Sequence, residues 1–396
     1  MSINRRNLIV QGAAGAFALT ALSRNASAQG RTQGITDTEI LIGSHQDLSG
    51  PVAALGSPLR DGMLLAVDDI NAAGGINGRQ LRMLVEDTAF DPKKAVLATE
   101  KLVGQDKVFA MIACLGSAPV QASMPLMLEA NVPVLFSGTP AEFTYAPFHH
   151  IKFGLNLPYG IQVRAMVRHA VEKLGKKRVG ILYQDDETGL SVLRATEEQL
   201  KVHNMAIVEQ TSYKRGAIDF ASQISKLKAA NVDLVVLGTI IRETAGACIE
   251  AKKQGWNVDM MVTLAGANSA VVKIGGAAVE GLYAMTQFVA INAQTQTPAL
   301  QGVLARYLAK YKKEPDDGLI YGYMSVQLFA EAARKAGRTL TVDTLVAALE
   351  QVKGWTGVFQ AAPVSFAANE HLGARSGILT RVKDGKFMPI TGALTY

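Results

Sequence analysis

An α/β fold built from two doubly wound domains is the class this sequence predicts, and three observations carry it. Short β-branched runs alternate with segments of helical period along most of the chain. The alternation pauses in a loop containing Pro140, Pro147 and Pro158 and then restarts, so the pattern occurs twice. Thirty-seven glycines and 48% hydrophobic residues among 396 supply the turns and the cores for at least two domains, since a domain usually takes roughly 100–200 residues. Regular βα units imply a parallel sheet covered by helices on both faces. The same composition excludes a disordered or collagen-like chain.

In order, Glu39–Gly43 reads as a strand, and Leu59, Met63, Val67 and Ile70 form a helical stripe that Gly74-Gly75 stops. Strand 79–87, helix 92–105, strand 108–113, helix 119–130 and strand 132–136 follow. After the proline loop, the stripe Val163, Met166, Val167, Ala170, Val171 and Leu174 opens the second series. It continues as strand 178–183, helix 191–203, strand 205–211, helix 220–230, strand 233–237, helix 243–254 and strands 258–263 and 281–285. Val108–Cys114 runs into Gly116-Ser117, and Val232–Leu237 runs into Gly238-Thr239, a local echo consistent with an internal repeat. Helices at 298–312, 319–336 and 342–351 come next. Strand-like pieces at 363–366, 377–382 and 387–390, with an Asp384-Gly385 turn, close the chain. Elements left over after two complete sheets imply that the polypeptide crosses between the domains more than once. Ligands of such sheets bind at the carboxyl ends of strands, which two facing domains turn into a cleft.

The first 28 residues read as a secretory signal peptide. Arg5 and Arg6 precede an apolar stretch, Ile9–Leu22, broken only by Gln11 and Thr20, and Ala26-Ser27-Ala28 offers small residues at a cleavage site. The adjacent arginines resemble a twin-arginine export signal, and an ordinary secretion signal is the alternative. A periplasmic location is therefore expected, and no later stretch has the length of a membrane helix. Removing Arg5, Arg6 and Arg24 leaves 37 basic against 34 acidic residues, a charge of +3 in place of +6. That mild balance, with 6% aromatic residues and no basic block, argues against nucleic acid as a partner. Cys114 and Cys248 each lie at an apolar run and are expected to be buried free thiols.

Catalytic signatures are missing from the sequence. Gly189–Leu193 fails the GxSxG pattern at its last position, and no phosphate loop, GxGxxG, HExxH or zinc spacing of His and Cys occurs. Asp185-Asp186-Glu187 sits where a strand passes into a helix, so the helix dipole accounts for it more simply than a metal does. No cofactor or metal is expected, and a binding role is favoured over an enzyme.

Ile42–Gly56, with its Ser49-Gly50-Pro51, followed by Ala66–Arg79, with Ile70-Asn71-Ala72-Ala73-Gly74-Gly75-Ile76-Asn77-Gly78, resembles the type I periplasmic binding proteins of the Leu/Ile/Val class. Those are extracytoplasmic receptors of ABC importers. The resemblance extends through Glu86–Thr88, Asp91–Val96, Val132–Ser137, Asp219–Ile224 and Glu280–Leu282. It implies two Rossmann-like lobes joined by three crossovers, lobe 1 at 35–155 plus 288–358 and lobe 2 at 156–287 plus 359–396. It also implies a ligand between the lobes, hinge closure and an inner-membrane ABC permease as partner.

Carried over by position, the resemblance places Ser49 and Leu55 over the ligand, and Gly116, Ser117, Ala118, Ser137, Gly138 and Thr139 around its carboxylate. Ser117 at a helix start suits an anion, and it could equally cap that helix. Thr188, Thr239, Ile240, Leu264, Ala265 and Gly266 would close the other side. Tyr183 and Tyr323 are expected in the core or behind the site, and Arg242 in solvent. Two departures stand out. Phe90 occupies the place of a cysteine that pairs, in the relatives, with the one matching Cys114. The loop that gives those receptors a glutamate for the ligand ammonium is here Leu264-Ala265-Gly266. An unpaired buried charge is strongly disfavoured. The expected ligand is therefore a carboxylate on an apolar body, aromatic or short aliphatic, with an amide as runner-up. Asp185, Asp186 or Glu187 could restore a partner for an amine. A sensor lobe signalling to a membrane partner and a secreted α/β hydrolase are the competing functions.

Overall fold

Hydrophobic runs and helical stripes organise the chain into two α/β lobes. A computed structural model describes residues 32–287, 297–359 and 363–396. The proposed signal sequence lies outside these residues, as does the start of the expected return to lobe 1 at 288. Strands β1 (Glu39–Gln46), β2 (Gln80–Asp87), β3 (Ala110–Ile112), β4 (Val134–Leu135) and β5 (Lys152–Phe153) form a parallel sheet in the order β2-β1-β3-β4-β5. The second sheet holds β6 (Val179–Gln184), β7 (Glu209–Tyr213), β8 (Leu234–Gly238), β9 (Asp259–Val262) and β10 (Tyr283–Thr286). Strands β11 (Ser376–Lys383) and β12 (Lys386–Thr395) join it as an antiparallel hairpin in the order β12-β11-β10-β9-β8-β6-β7. Its parallel part, β7-β6-β8-β9-β10, repeats the order of the first sheet, in line with the echo in the sequence. Asp384 and Gly385, both at positive φ, make the tight turn of the hairpin.

Helices α1 (Ala53–Ala72), α2 (Pro92–Thr99), α3 (Ser117–Glu129), α4 (Tyr159–Glu172), α5 (Glu187–Val202), α6 (Ala221–Ala229), α7 (Ile241–Lys253) and α8 (Ser269–Gly275) alternate with the strands. A π-helical turn, Glu100–Gln105, extends α2. Helices α9 (Pro298–Tyr311), α10 (Asp317–Ala336) and α11 (Val342–Glu350) return to the first lobe, where Met63, Phe109, Phe136, Phe153 and Phe329 are fully or nearly fully buried in one core. Two elements escape the sequence reading, the two-residue strand β5 and the short α8. The expected strand at 363–366 is instead irregular, with Val364 making one isolated bridge to Trp355 while Val364 and Phe366 pack into the core. Both cysteines are free and buried, as expected.

The chain passes between the lobes after β5, after β10 and after α11. These crossings are tied together. Gly154 exchanges backbone hydrogen bonds with His371 and Gly373, and the Leu157 amide donates to the Gln287 side chain.

Candidate ligand-binding cleft

In both lobes the strand order reverses beside the first strand, between β1 and β3 and between β6 and β8. A doubly wound sheet leaves its crevice at that switch point. The loops leaving those strands face one another across a cleft of about 830 Å³, counting its solvent-open mouth. Lobe 1 contributes Val52, Leu55, Leu59, Phe90, Leu115, Gly116, Ser117, Gly138, Thr139 and Pro140, with Tyr321 from α10. Lobe 2 contributes Tyr159, Thr188, Ile240, Ile241, Leu264, Ala265, Ala267, Asn268 and Thr286, and Asn156 lies on the first crossing. None of these wall residues carries a carboxylate, an imidazole, an amine or a guanidinium.

Backbone strain marks the same loops. Ala89, Phe90, Ala113 and Phe136 all take left-handed φ, between 48° and 60°, just beyond the ends of β2, β3 and β4. A bulky residue held there costs free energy, and such outliers gather at ligand sites. They turn the chain so that Leu115–Ser117 and Gly138-Thr139 enter the cleft. Gly116, at φ 96°, is required twice over, because a Cβ there would sit 2.4 Å from the Phe90 ring.

The polar part of the wall is a cluster of hydroxyls. Ser117 Oγ and Thr139 Oγ1 lie 2.6 Å apart, and the Ala141 amide donates to Thr139 at 3.2 Å. Tyr159, the first residue of α4, completes the group through contacts with both hydroxyls. Burial pushes its phenol well above the ordinary value, so it remains a proton donor. The N-cap of α3 is Gly116, which offers no side-chain cap, and Ser117 follows as the first helical residue, so the alternative of Ser117 as the capping residue is not met. Pro119 has no N–H and the Val120 amide bonds the Gly116 carbonyl, so Ser117 and Ala118 supply the first-turn amide donors of α3. Deeper in, Asn156 donates to the Ser137 carbonyl at 3.0 Å and to the Tyr321 hydroxyl at 2.9 Å, tying the first crossing to α10.

Of the residues expected at the site, Leu55, Gly116, Ser117, Gly138, Thr139, Thr188, Ile240, Leu264 and Ala265 come together on the wall. Five do not. Ser49 is exposed, its hydroxyl donating to Asp87 at 2.6 Å. Although desolvation opposes it, that bond and those from the Leu48 and Ala89 amides hold Asp87 below the usual carboxylate range. Thr239 is bonded to Thr244 at 2.6 Å, behind Ile240. Ser137 serves through its carbonyl, and Ala118, one residue beyond Ser117, is not part of the lining. Gly266 makes a close turn, where a Cβ would lie 2.5 Å from Val262.

The acids considered for a ligand amine are already engaged. Asp185 pairs with Lys214, Asp186 with Arg215 and Glu187 with Arg194. Asp186 also caps α5 through the Thr188 amide, as the helix-dipole argument anticipates. Tyr323 is buried and donates to Asp69, and Arg242 is exposed. Among the described residues no group of three or more His, Cys, Asp or Glu could hold a metal, and no helix is long and apolar enough to cross a membrane.

Two doubly wound lobes facing each other across a cleft at their strand ends are the architecture of the type I solute-binding proteins. The chain belongs to the periplasmic binding protein family, whose profile matches residues 39–386. Its relatives include the leucine-specific-binding protein of Salmonella typhimurium, 26% identical over 314 residues, which cover 79% of this chain and 83% of that one. A Leu/Ile/Val-binding protein homolog of Brucella suis is 28% identical over 75% of this chain and 77% of its own. Among solved structures, the branched-chain amino acid transporter substrate-binding protein of Streptococcus pneumoniae, determined with isoleucine, superposes with a TM-score of 0.76 at 26% identity. That match covers 91% of this chain and 99% of the other. The resemblance to the Leu/Ile/Val class read from the sequence is borne out.

Proposed function

We propose that this chain is the periplasmic receptor of an ABC importer, exported by the signal at residues 1–28, and that it binds a small organic acid between its lobes and passes it to an inner-membrane permease. The observation that carries this reading is the cleft wall, apolar and without charge, with hydroxyls and the first turn of α3 gathered at one end. Ser117, Thr139 and Tyr159 would hold the carboxylate, aided by the backbone amides of Ser117 and Ala118. Leu55, Leu59, Phe90, Ile240 and Leu264 would enclose an apolar body, with Thr188 at the far side. The hydroxyl cluster has no histidine or carboxylate on the wall to activate it, which supports a receptor over a hydrolase.

Free branched-chain amino acids are the second reading, favoured by the names of the relatives. Glu243 is the acid it would need. This residue is 2% exposed in the first turn of α7, two positions beyond Ile241, and its Oε2 has no partner among the described residues. Burial raises its pKa above the ordinary carboxylate value. Calorimetry with leucine, valine, benzoate-type acids and short amides separates the readings. The organic-acid reading expects binding of an acid, weakened by about 0.5–3 kcal/mol in Ser117→Ala and in Thr139→Val. Sub-micromolar binding of leucine alone, lost in Glu243→Gln, overturns it in favour of the amino acid.

A further inference from the structure

Arg215 lies in the turn after β7 and so belongs to lobe 2, yet its guanidinium reaches lobe 1. Nη1 donates to the Phe90 carbonyl at 3.2 Å, and the guanidinium carbon stands 5.2 Å from the centre of the Phe90 ring. Nη2 donates to Asp186 at 2.8 Å, the carboxylate that also accepts from the Thr188 amide and from Gln184. Phe90 and Thr188 are both cleft wall, on opposite lobes. One side chain therefore joins the residue that seats Thr188 to the ring and backbone of Phe90. The left-handed φ of Phe90 belongs to the same backbone unit that presents the bonded carbonyl. A guanidinium bonds a carboxylate and a carbonyl from separate nitrogens while it lies near a ring, a spread of donors that the compact lysine ammonium lacks.

We propose that Arg215 is a latch between the lobes, a positioning residue whose contact with Phe90 forms as the cleft shuts and holds the closed state. The inference rests on the reading of the cleft as one that closes. It also gives Phe90 two tasks, covering the ligand and receiving the latch, so a ligand that displaces the ring would weaken closure. Asp186 stays compensated by the same guanidinium, which keeps that carboxylate from serving a ligand cation.

The test measures lobe separation rather than affinity. Spin labels at Leu97 on α2 and Lys226 on α6, both exposed, report the distance between lobes in the full mature chain. Distributions would be recorded without solute and with millimolar leucine, benzoate or benzamide. Wherever the unsubstituted protein populates a short-distance state, Arg215→Lys should reduce its ratio to the open state about five- to thirty-fold, the weight of one hydrogen bond and one cation–π contact. Phe90→Leu, which keeps the carbonyl but removes the ring, should give about a three-fold reduction. Arg215→Lys keeps a cation beside Asp186 and should melt close to the unsubstituted protein when no solute is present, whereas Phe90→Leu trims a buried core ring and is judged by its closed-to-open ratio alone. If the lobes close equally well in both variants, or if the closure lost in Arg215→Lys tracks an equal loss of its ligand-free stability, the latch is refuted while closure stands. If the unsubstituted protein shows no short-distance state under any condition, the closure reading falls and the latch with it.

Discussion

His45 and Asp316 carry opposite pH dependences into the same window. His45, near the end of β1, is fully buried with Nε2 3.1 Å from the Ser123 hydroxyl, and burial lowers its pKa to about 4. Its folded value lies below the unfolded one near 6.5, so the stability it supports is full above that value and is lost as pH falls towards 4. Asp316 caps α10 by accepting from the Gly318 and Leu319 amides, and burial raises its pKa to about 6. Here the folded value is the higher, so its contribution is full below about 3.8 and is lost as pH rises through 6. The two slopes oppose each other between pH 4 and 6. Asp316→Asn keeps a capping oxygen but removes the titration. Its urea unfolding free energy should rise from pH 4 to pH 7 by about 2–3 kcal/mol, more steeply than that of the unsubstituted protein. Equal slopes in the two proteins would show that Asp316 does not titrate in this range. At this scale the resemblance discloses residues carried over by position, such as Thr139, and Ser117 is marked also by its place at a helix start after an apolar run. The sequence conceals Tyr159, Asn156 and Tyr321. Tyr321 and Tyr323 differ by two helical positions, hence by about half a turn, and only packing decides which of them faces the cleft.

Helices α1 and α10 meet backbone to backbone, and glycine makes that possible. A Cβ on Gly322 would stand 2.1 Å from the Leu59 carbonyl, and one on Gly62 would stand 2.4 Å from that of Leu319. Neither obstacle is a side chain that could rotate away, so Gly322→Ala must push the helices apart. Overpacking of this kind costs about 1–3 kcal/mol, and the shift would move Leu55 and Leu59 on the cleft wall. A lowered urea midpoint together with weaker solute binding is expected. A midpoint unchanged within error would mean that the two helices separate freely. The helices themselves are legible from their stripes, but the start of α1 is not. The expected stripe begins at Leu59, whereas α1 begins at Ala53 and runs through Pro58. Leu55 thereby joins the first turn of a helix instead of a loop. Strand β5 is hidden for a different reason, since two residues cannot show a period.

At the scale of the whole molecule, the repeated strand order is readable because each sheet is made of local βα units. The contacts that tie the crossings together are not, because their partners are distant in sequence: Gly154 meets residues 371–373, and Leu157 meets Gln287. Those ties gather the crossings into one narrow joint, and away from it the lobes meet through wall residues such as Leu55 and Ile240 and through the Arg215–Phe90 contact, an arrangement suited to rotation of one lobe against the other. A solute touching Ser117 and Thr139 on one side and Thr188 and Ile240 on the other gains its full contacts only when the lobes approach. It therefore binds the closed form better and shifts the population towards it. At a hundred times its dissociation constant it should stabilise the fold by about 2.7 kcal/mol, worth roughly 3–8 °C in melting temperature for a chain of this size. Small-angle scattering on the same samples should show a smaller radius of gyration. A raised melting temperature with no compaction would mean that the solute fits an already closed cleft, and the joint would then serve release instead of capture.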